Sequence, residues 1–186
     1  MKSLKISFFF VLILWIVRFI DIFLPADLNQ YGILPRSPEG LTGILFSPFL
    51  HENFAHLISN TVPIFVLLTV LIFFYDKIVL WIFAIVLLLG GFLVWCFARE
   101  AVHIGASGLV YGFAAFLIAN GLFRRNIKSI SIAAVILFLY SGMIYGILPI
   151  HSWMSWEGHL FGAAAGIISA YAFRKNREYE SISNRT

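Results

Sequence analysis

Apolar residues along this chain fall into six long runs separated by short polar clusters, at about 6–24, 54–74, 78–98, 107–123, 129–147 and 157–173. A helix needs roughly 20 apolar residues to cross about 30 Å of hydrocarbon. Within lipid the backbone must satisfy its own hydrogen bonds, so each run predicts a membrane-spanning helix. The third run, Ile78 to Ala98, is the most uniformly apolar. The fourth and sixth are shorter and rich in Gly and Ala, the composition of helices packed inside a bundle. The pattern therefore predicts an all-α polytopic membrane protein, a six-helix bundle over residues 1–174. A short polar tail, 175–186, is expected to be frayed and cytoplasmic. No repeat, linker or second domain is expected.

Composition sharpens this picture. The chain is 61% hydrophobic and only 12% charged, with a mean hydropathy of +0.93, whereas a soluble domain carries about 25% charged residues. Too few polar groups remain to cover a globule in water. The net charge of +4 does not point to nucleic acid, because the basic residues sit in short clusters between apolar runs. Of the 13 Lys and Arg, all but Arg18, Arg36 and Arg99 fall in the segments on the side of the two termini. That asymmetry predicts cytoplasmic termini, with the second, fourth and sixth helices beginning at the outer face. The first run follows Lys2 and Lys5 but is long for a signal peptide and lacks a small-x-small cleavage site, so it reads as a retained span. Near its far end Arg18 and Asp21 can meet at i, i+3. Cys96, the one cysteine, rules out an intrachain disulfide and reads as a small buried hydrophobe. The outer loop from Pro25 to Asn53 is long for so compact a chain. Its apolar content predicts partial burial and a short amphipathic helix around 38–47.

Candidate chemistry lies at one depth. The five histidines, His51, His56, His103, His151 and His159, all map to outer loops or outer helix ends, together with Ser107 and Asn60. His51-Glu52-x-x-x-His56 is not a zinc site of the H-E-x-x-H type, because its histidines are five apart, roughly 140° around a helix. His56 and Asn60, four apart, share a helical face as two donors aimed into the bundle; bonding a neighbouring helix is an equally good reading of that pair alone. Ser107 opens the fourth span within Gly105-Ala106-Ser107-Gly108, where unpaired amides and the helix dipole favour an anion. Taken alone it is also an ordinary serine N-cap. Tyr111 lies one turn deeper on the same face. In the sixth span Gly158, Gly162 and Gly166 form a row of small residues beside His159, matching Gly108, Gly112 and Ala115 on the fourth. Two such faces permit an approach close enough for His159 to reach Ser107; ordinary small-residue packing with a bystander histidine is the other reading of this cluster alone. Glu157, on the order of 200° around the helix from His159, is expected to face water. His103 and His151 are expected in outer loops, bonded to waters or loop carbonyls.

In these residues the chain resembles the rhomboid family of intramembrane serine proteases. The resemblance rests on His51, His56 and Asn60 in the second span, Gly105 to Gly108 with Tyr111 in the fourth, and Gly158-His159 with Gly162 and Gly166 in the sixth. It implies a rhomboid-like six-helix fold and a Ser107–His159 dyad without an acidic third member. It also implies an oxyanion hole from His56, Asn60 and the Ser107 amide, with Tyr111 packed under the His159 ring. Gly105, Gly108, Gly158 and Gly162 would support the site, and His51 would hold the outer loop or the polar network. Many members carry a Trp-Arg pair in the first outer loop; only Pro35-Arg36 stands here, and neither a soluble N-terminal domain nor a seventh span is expected.

The resemblance implies an endopeptidase that cuts transmembrane protein substrates from within the bilayer. No cofactor, metal or nucleic-acid partner is expected, and the chain is expected to be a monomer of a bacterial plasma membrane. Substrate would enter sideways past the fifth span, where Ser141, Gly142 and Gly146 allow bending. A non-catalytic binder of membrane proteins on the same scaffold is the alternative. A transporter using the histidine layer is disfavoured, because below Asn60 and Tyr111 the spans are mostly apolar.

Overall fold

The computed structural model describes residues 1–150 and 154–175; His151 and the tail beyond Lys175 lie outside the described residues. Helix α1 spans Lys2–Phe23. After the long loop come α3, Phe54–Phe74, and a third span built as α4, Val79–Ile85, a π-helical turn Val86–Gly90 and α5, Gly91–Phe97. Next follow α6, Ser107–Arg124, α7, Ile127–Tyr140, and a 3₁₀ continuation Ser141–Ile147. Helix α8, Trp156–Phe173, completes the bundle. The first span thus begins earlier than its apolar run suggested, because Lys2 and Lys5 continue the helix.

Among the described residues five helical stretches are long and apolar enough to cross a membrane. Helix α8 has a comparable length, 18 residues, but its first turn, Trp156-Glu157-Gly158-His159, dilutes its apolarity. Helix starts are set by local chemistry: Asn53 accepts the His56 N–H at 2.9 Å, Asn126 that of Ser129 at 2.8 Å, and Ser155 that of Gly158 at 3.3 Å. No side chain caps α6, which opens at Ser107.

Helix α6 is the centre of the bundle. It packs most extensively on α8, then on α7 and α3, and over half of it is buried, against 11% of the stretch Ile127–Ile147. Phe113, Phe116 and Leu117 of α6 are fully buried with Leu57, Ile64, Leu67 and Leu71 of α3. The α6–α8 contact is a backbone contact, because a Cβ on Gly162 would collide with the Gly108 carbonyl and one on Gly166 with that of Gly112. The π turn also packs on this pair: a Cβ on Gly112 would overlap Val86, and one on Gly90 would lie 3.4 Å from the Gly162 Cα. Val86 and Gly90 thus both face the α6–α8 pair.

The long loop carries helical structure where a short helix is expected around 38–47, but in pieces. These are a 3₁₀ turn Glu39–Leu41, the single turn α2, Gly43–Phe46, and a 3₁₀ turn Ser47–Phe49. Gly40 packs against Leu34 and Gly43 against Gly32, so this stretch lies close against the earlier part of the loop. Distant partners pin it. Ile33 and His103 exchange both backbone hydrogen bonds at 2.9 Å. Arg36 donates to the Ala98 carbonyl at 2.7 Å, and the Trp95 indole donates to Ser37 O at 2.8 Å. At the loop's start Arg18 and Asp21 form an ion pair, and Asp21 accepts the Leu28 N–H at 2.8 Å.

Candidate active site

The expected site residues converge at the loop-bearing end of the bundle. Ser107 stands at the first position of α6, and among the described residues no acceptor meets its backbone N–H. Its hydroxyl lies 2.9 Å from His159 Nε2. The glycine rows explain this reach: with glycines where α6 and α8 come closest, two residues on the facing helices lie within hydrogen-bond distance.

His159 is held on two further sides. Its Nδ1 lies 2.8 Å from the Gly146 carbonyl, which can only accept, so Nδ1 carries the proton and Nε2 presents a lone pair to Ser107. The Tyr111 ring stacks on the imidazole with centroids 4.1 Å apart and planes 5° from parallel. Tyr111 itself is fixed by its hydroxyl, which donates to the Met143 carbonyl at 2.8 Å. Both carbonyls come from the 3₁₀ segment after α7. A hydroxyl in this setting can lose its proton to Nε2 as it attacks an electrophile.

His56 and Asn60 lie on α3 across the site. The Asn60 amide donates to the His56 carbonyl at 3.0 Å within the helix, and Asn60 is buried. The His56 ring rests on Gly105: a Cβ there would sit 2.6 Å from His56 Nε2. Gly105 also has a φ of 108°, a conformation side chains rarely adopt. Both facts require glycine two residues before Ser107. Gly158 lies in the first turn of α8, where a Cβ on Gly108 would approach its carbonyl to 3.5 Å.

His51 is not part of the second span; it sits in the segment before Phe54, with its ring 5.0 Å from that of His56. Its Nε2 accepts the Ala106 N–H at 3.4 Å, so the ring is neutral. Burial, and next the His56 charge, push its pKa down to about 4. With Gly105 N donating to Ser47 O at 2.8 Å and His103 N to Ile33 O at 2.9 Å, the amides leading to Ser107 are tied to the long loop.

One expectation is corrected here. Glu157 does not face water. It is 3% exposed, its Oε1 lying 3.6 Å from Arg99 Nε and 3.4 Å from Arg99 N, because the 98–106 loop folds over the first turn of α8. His103 lies in that loop as expected and bonds a loop carbonyl, that of Arg99, at 3.2 Å; it is also buried and lies 2.6 Å from Ser155 Oγ, and burial pushes its pKa below the ordinary value. Sequence reasoning gave no role to Ser155, nor to the carbonyls of Met143 and Gly146. Backbone acceptors leave no residue-type signal, although the Ser155-x-Glu157-Gly158 sequence carries that of an N-cap.

A Rhomboid domain model matches residues 38–176. Uncharacterised proteins of Mycobacterium tuberculosis and Mycobacterium bovis are 39% identical over 171 residues, covering 87% of this chain and 71% of theirs. One of Mycobacterium leprae is 36% identical, covering 87% and 68%. The chain belongs to the rhomboid family, and it is a multi-pass integral membrane protein.

Proposed function

We propose that this chain is an intramembrane serine endopeptidase that hydrolyses peptide bonds in or near the transmembrane segments of other membrane proteins. The observation that carries the reading is the 2.9 Å contact between Ser107 Oγ and His159 Nε2, in a chain of the rhomboid family. His159 takes the Ser107 proton as Oγ attacks the substrate carbonyl, and returns it to the departing amine. Water, deprotonated by the same imidazole, then releases the acyl group from Ser107. The carbonyl oxygen becomes an oxyanion met by the free Ser107 N–H, by His56, and by Asn60, whose amide has a second hydrogen beyond the one given to the His56 carbonyl. Losing one such donor typically costs about 10²–10³ in rate. No step requires a metal or cofactor.

Substrate reaches the site laterally from lipid, past α7 and its 3₁₀ continuation. The low burial of this stretch supports that route, as does Gly142, which has open space around it. Crosslinking α7 to α3 should then abolish cleavage; unchanged turnover would refute the route. The distribution of Lys and Arg supports cytoplasmic termini and an active site towards the outer face of a bacterial plasma membrane, where the chain acts as a monomer.

The deciding experiment is cleavage of a single-span reporter with a helix-breaking outer segment, by wild type, Ser107→Ala and His159→Ala. Cleavage by wild type alone is expected. Failure of all three across several reporters would favour a non-catalytic binder of membrane proteins.

A further inference from the structure

A second serine–histidine contact lies one helical turn from the first. His103 is four residues before Ser107 and Ser155 four before His159, and their side chains meet at 2.6 Å. Their polarity is fixed by their other partners. His103 Nε2 lies 3.2 Å from the Arg99 carbonyl, which only accepts, so the proton is on Nε2 and Nδ1 accepts from the Ser155 hydroxyl. Ser155 Oγ in turn accepts the Gly158 N–H at 3.3 Å, capping α8. His103 is buried and tied through both backbone atoms to Ile33. A continuous chain of hydrogen bonds thus runs from the long loop, through the segment entering α6, to the first turn of the helix that carries His159.

The glycine rows bring α6 and α8 together but contribute no directional bond between their first turns. One residue of slip moves a helix by about 1.5 Å. Such a slip takes His159 Nε2 out of hydrogen-bond reach of Ser107. The His103–Ser155 contact ties the two helix starts beside the site, and the Glu157–Arg99 pair straps the same turn to the same loop.

We infer that His103 and Ser155 are positioning residues, whose hydrogen bond sets the register of α8 against α6 and so holds His159 against Ser107. The inference rests on Ser107 and His159 being nucleophile and base; neither His103 nor Ser155 touches a reacting atom.

The test uses the full chain in detergent micelles, with two readouts: kcat and KM on the single-span reporter, and the rate at which a fluorophosphonate labels Ser107. Ser155→Gly is the informative variant, because glycine is nearly as good an N-cap as serine yet has no hydroxyl for His103. With His103→Ala, it should lower kcat and labelling about ten- to a hundredfold, the scale of an ångström's misplacement, with KM within about twofold. The double variant should be no worse than the weaker single, since both remove one contact. Ser155→Thr, which keeps the hydroxyl, should restore activity. Unchanged kcat in Ser155→Gly, multiplicative losses in the double variant, or no rescue by threonine would overturn the inference. A wild type that neither cleaves nor is labelled sinks the protease reading itself; an active wild type with an unaffected Ser155→Gly sinks only the positioning role.

Discussion

Which nitrogen of an imidazole offers its lone pair is set by the bond the other makes, and for His159 that partner is the Gly146 carbonyl. Ring orientation then falls to Tyr111. Tyr111→Phe keeps the stack but leaves the Met143 carbonyl unpaired, so it should lower stability by about 1 kcal/mol and retain most activity. Tyr111→Ala removes the stack as well and should cost more than about tenfold in kcat. Reporter turnover alongside thermal unfolding separates the two effects. At Gly105 an alanine meets both a φ of 108° and the His56 ring. Gly105→Ala is therefore expected to lose about 10²-fold in kcat, as for a displaced oxyanion donor, with helix content by circular dichroism unchanged. The spacing of His56 and Asn60 and the glycines around Ser107 were legible in the sequence because they are residue types at fixed intervals. The burial of Glu157 was not, because it depends on Arg99, 58 residues away.

At the scale of elements, the bundle turns on one glycine-lined interface. Replacing Gly166 by leucine drives a side chain into the Gly112 carbonyl, and such overpacking typically costs about 1–3 kcal/mol. Gly166→Leu should therefore lower the thermal midpoint and reporter cleavage together, since separating α6 from α8 also separates Ser107 from His159. A variant at the lipid-exposed Leu160, such as Leu160→Ala, should do neither. The spans were legible because lipid demands long apolar runs. The π turn was not, since Val86–Gly90 differs in no local signal from the apolar residues around it, and it shows only in the packed bundle. Of the long loop, the helical stretch and its burial were legible, while its path was not, because Trp95, Ala98 and His103 hold it from a distance.

For the molecule as a whole, the histidines outside the spans tie stability to pH. His51 titrates near 6.5 in the unfolded chain and at about 4 when folded, so between these values the unfolded state binds more protons. Its contribution is present in full above about pH 6.5 and is lost as the pH falls towards 4; the span corresponds to about 3 kcal/mol. His103, also pushed down by burial, adds a slope of the same sign. Thermal midpoints in detergent should accordingly fall between pH 6.5 and 4, and His51→Gln should flatten that fall without abolishing it.

The acceptors that hold Tyr111 and His159 are both peptide carbonyls of the stretch Ser141–Ile147. Every amino acid supplies that atom, so this part of the site is inherited through backbone shape and not through residue identity. Substitutions at Met143 can drift without deleting its acceptor, and scanning mutagenesis will pass over it in silence. Gly146 alone would register, because any larger residue there collides with the Tyr111 hydroxyl.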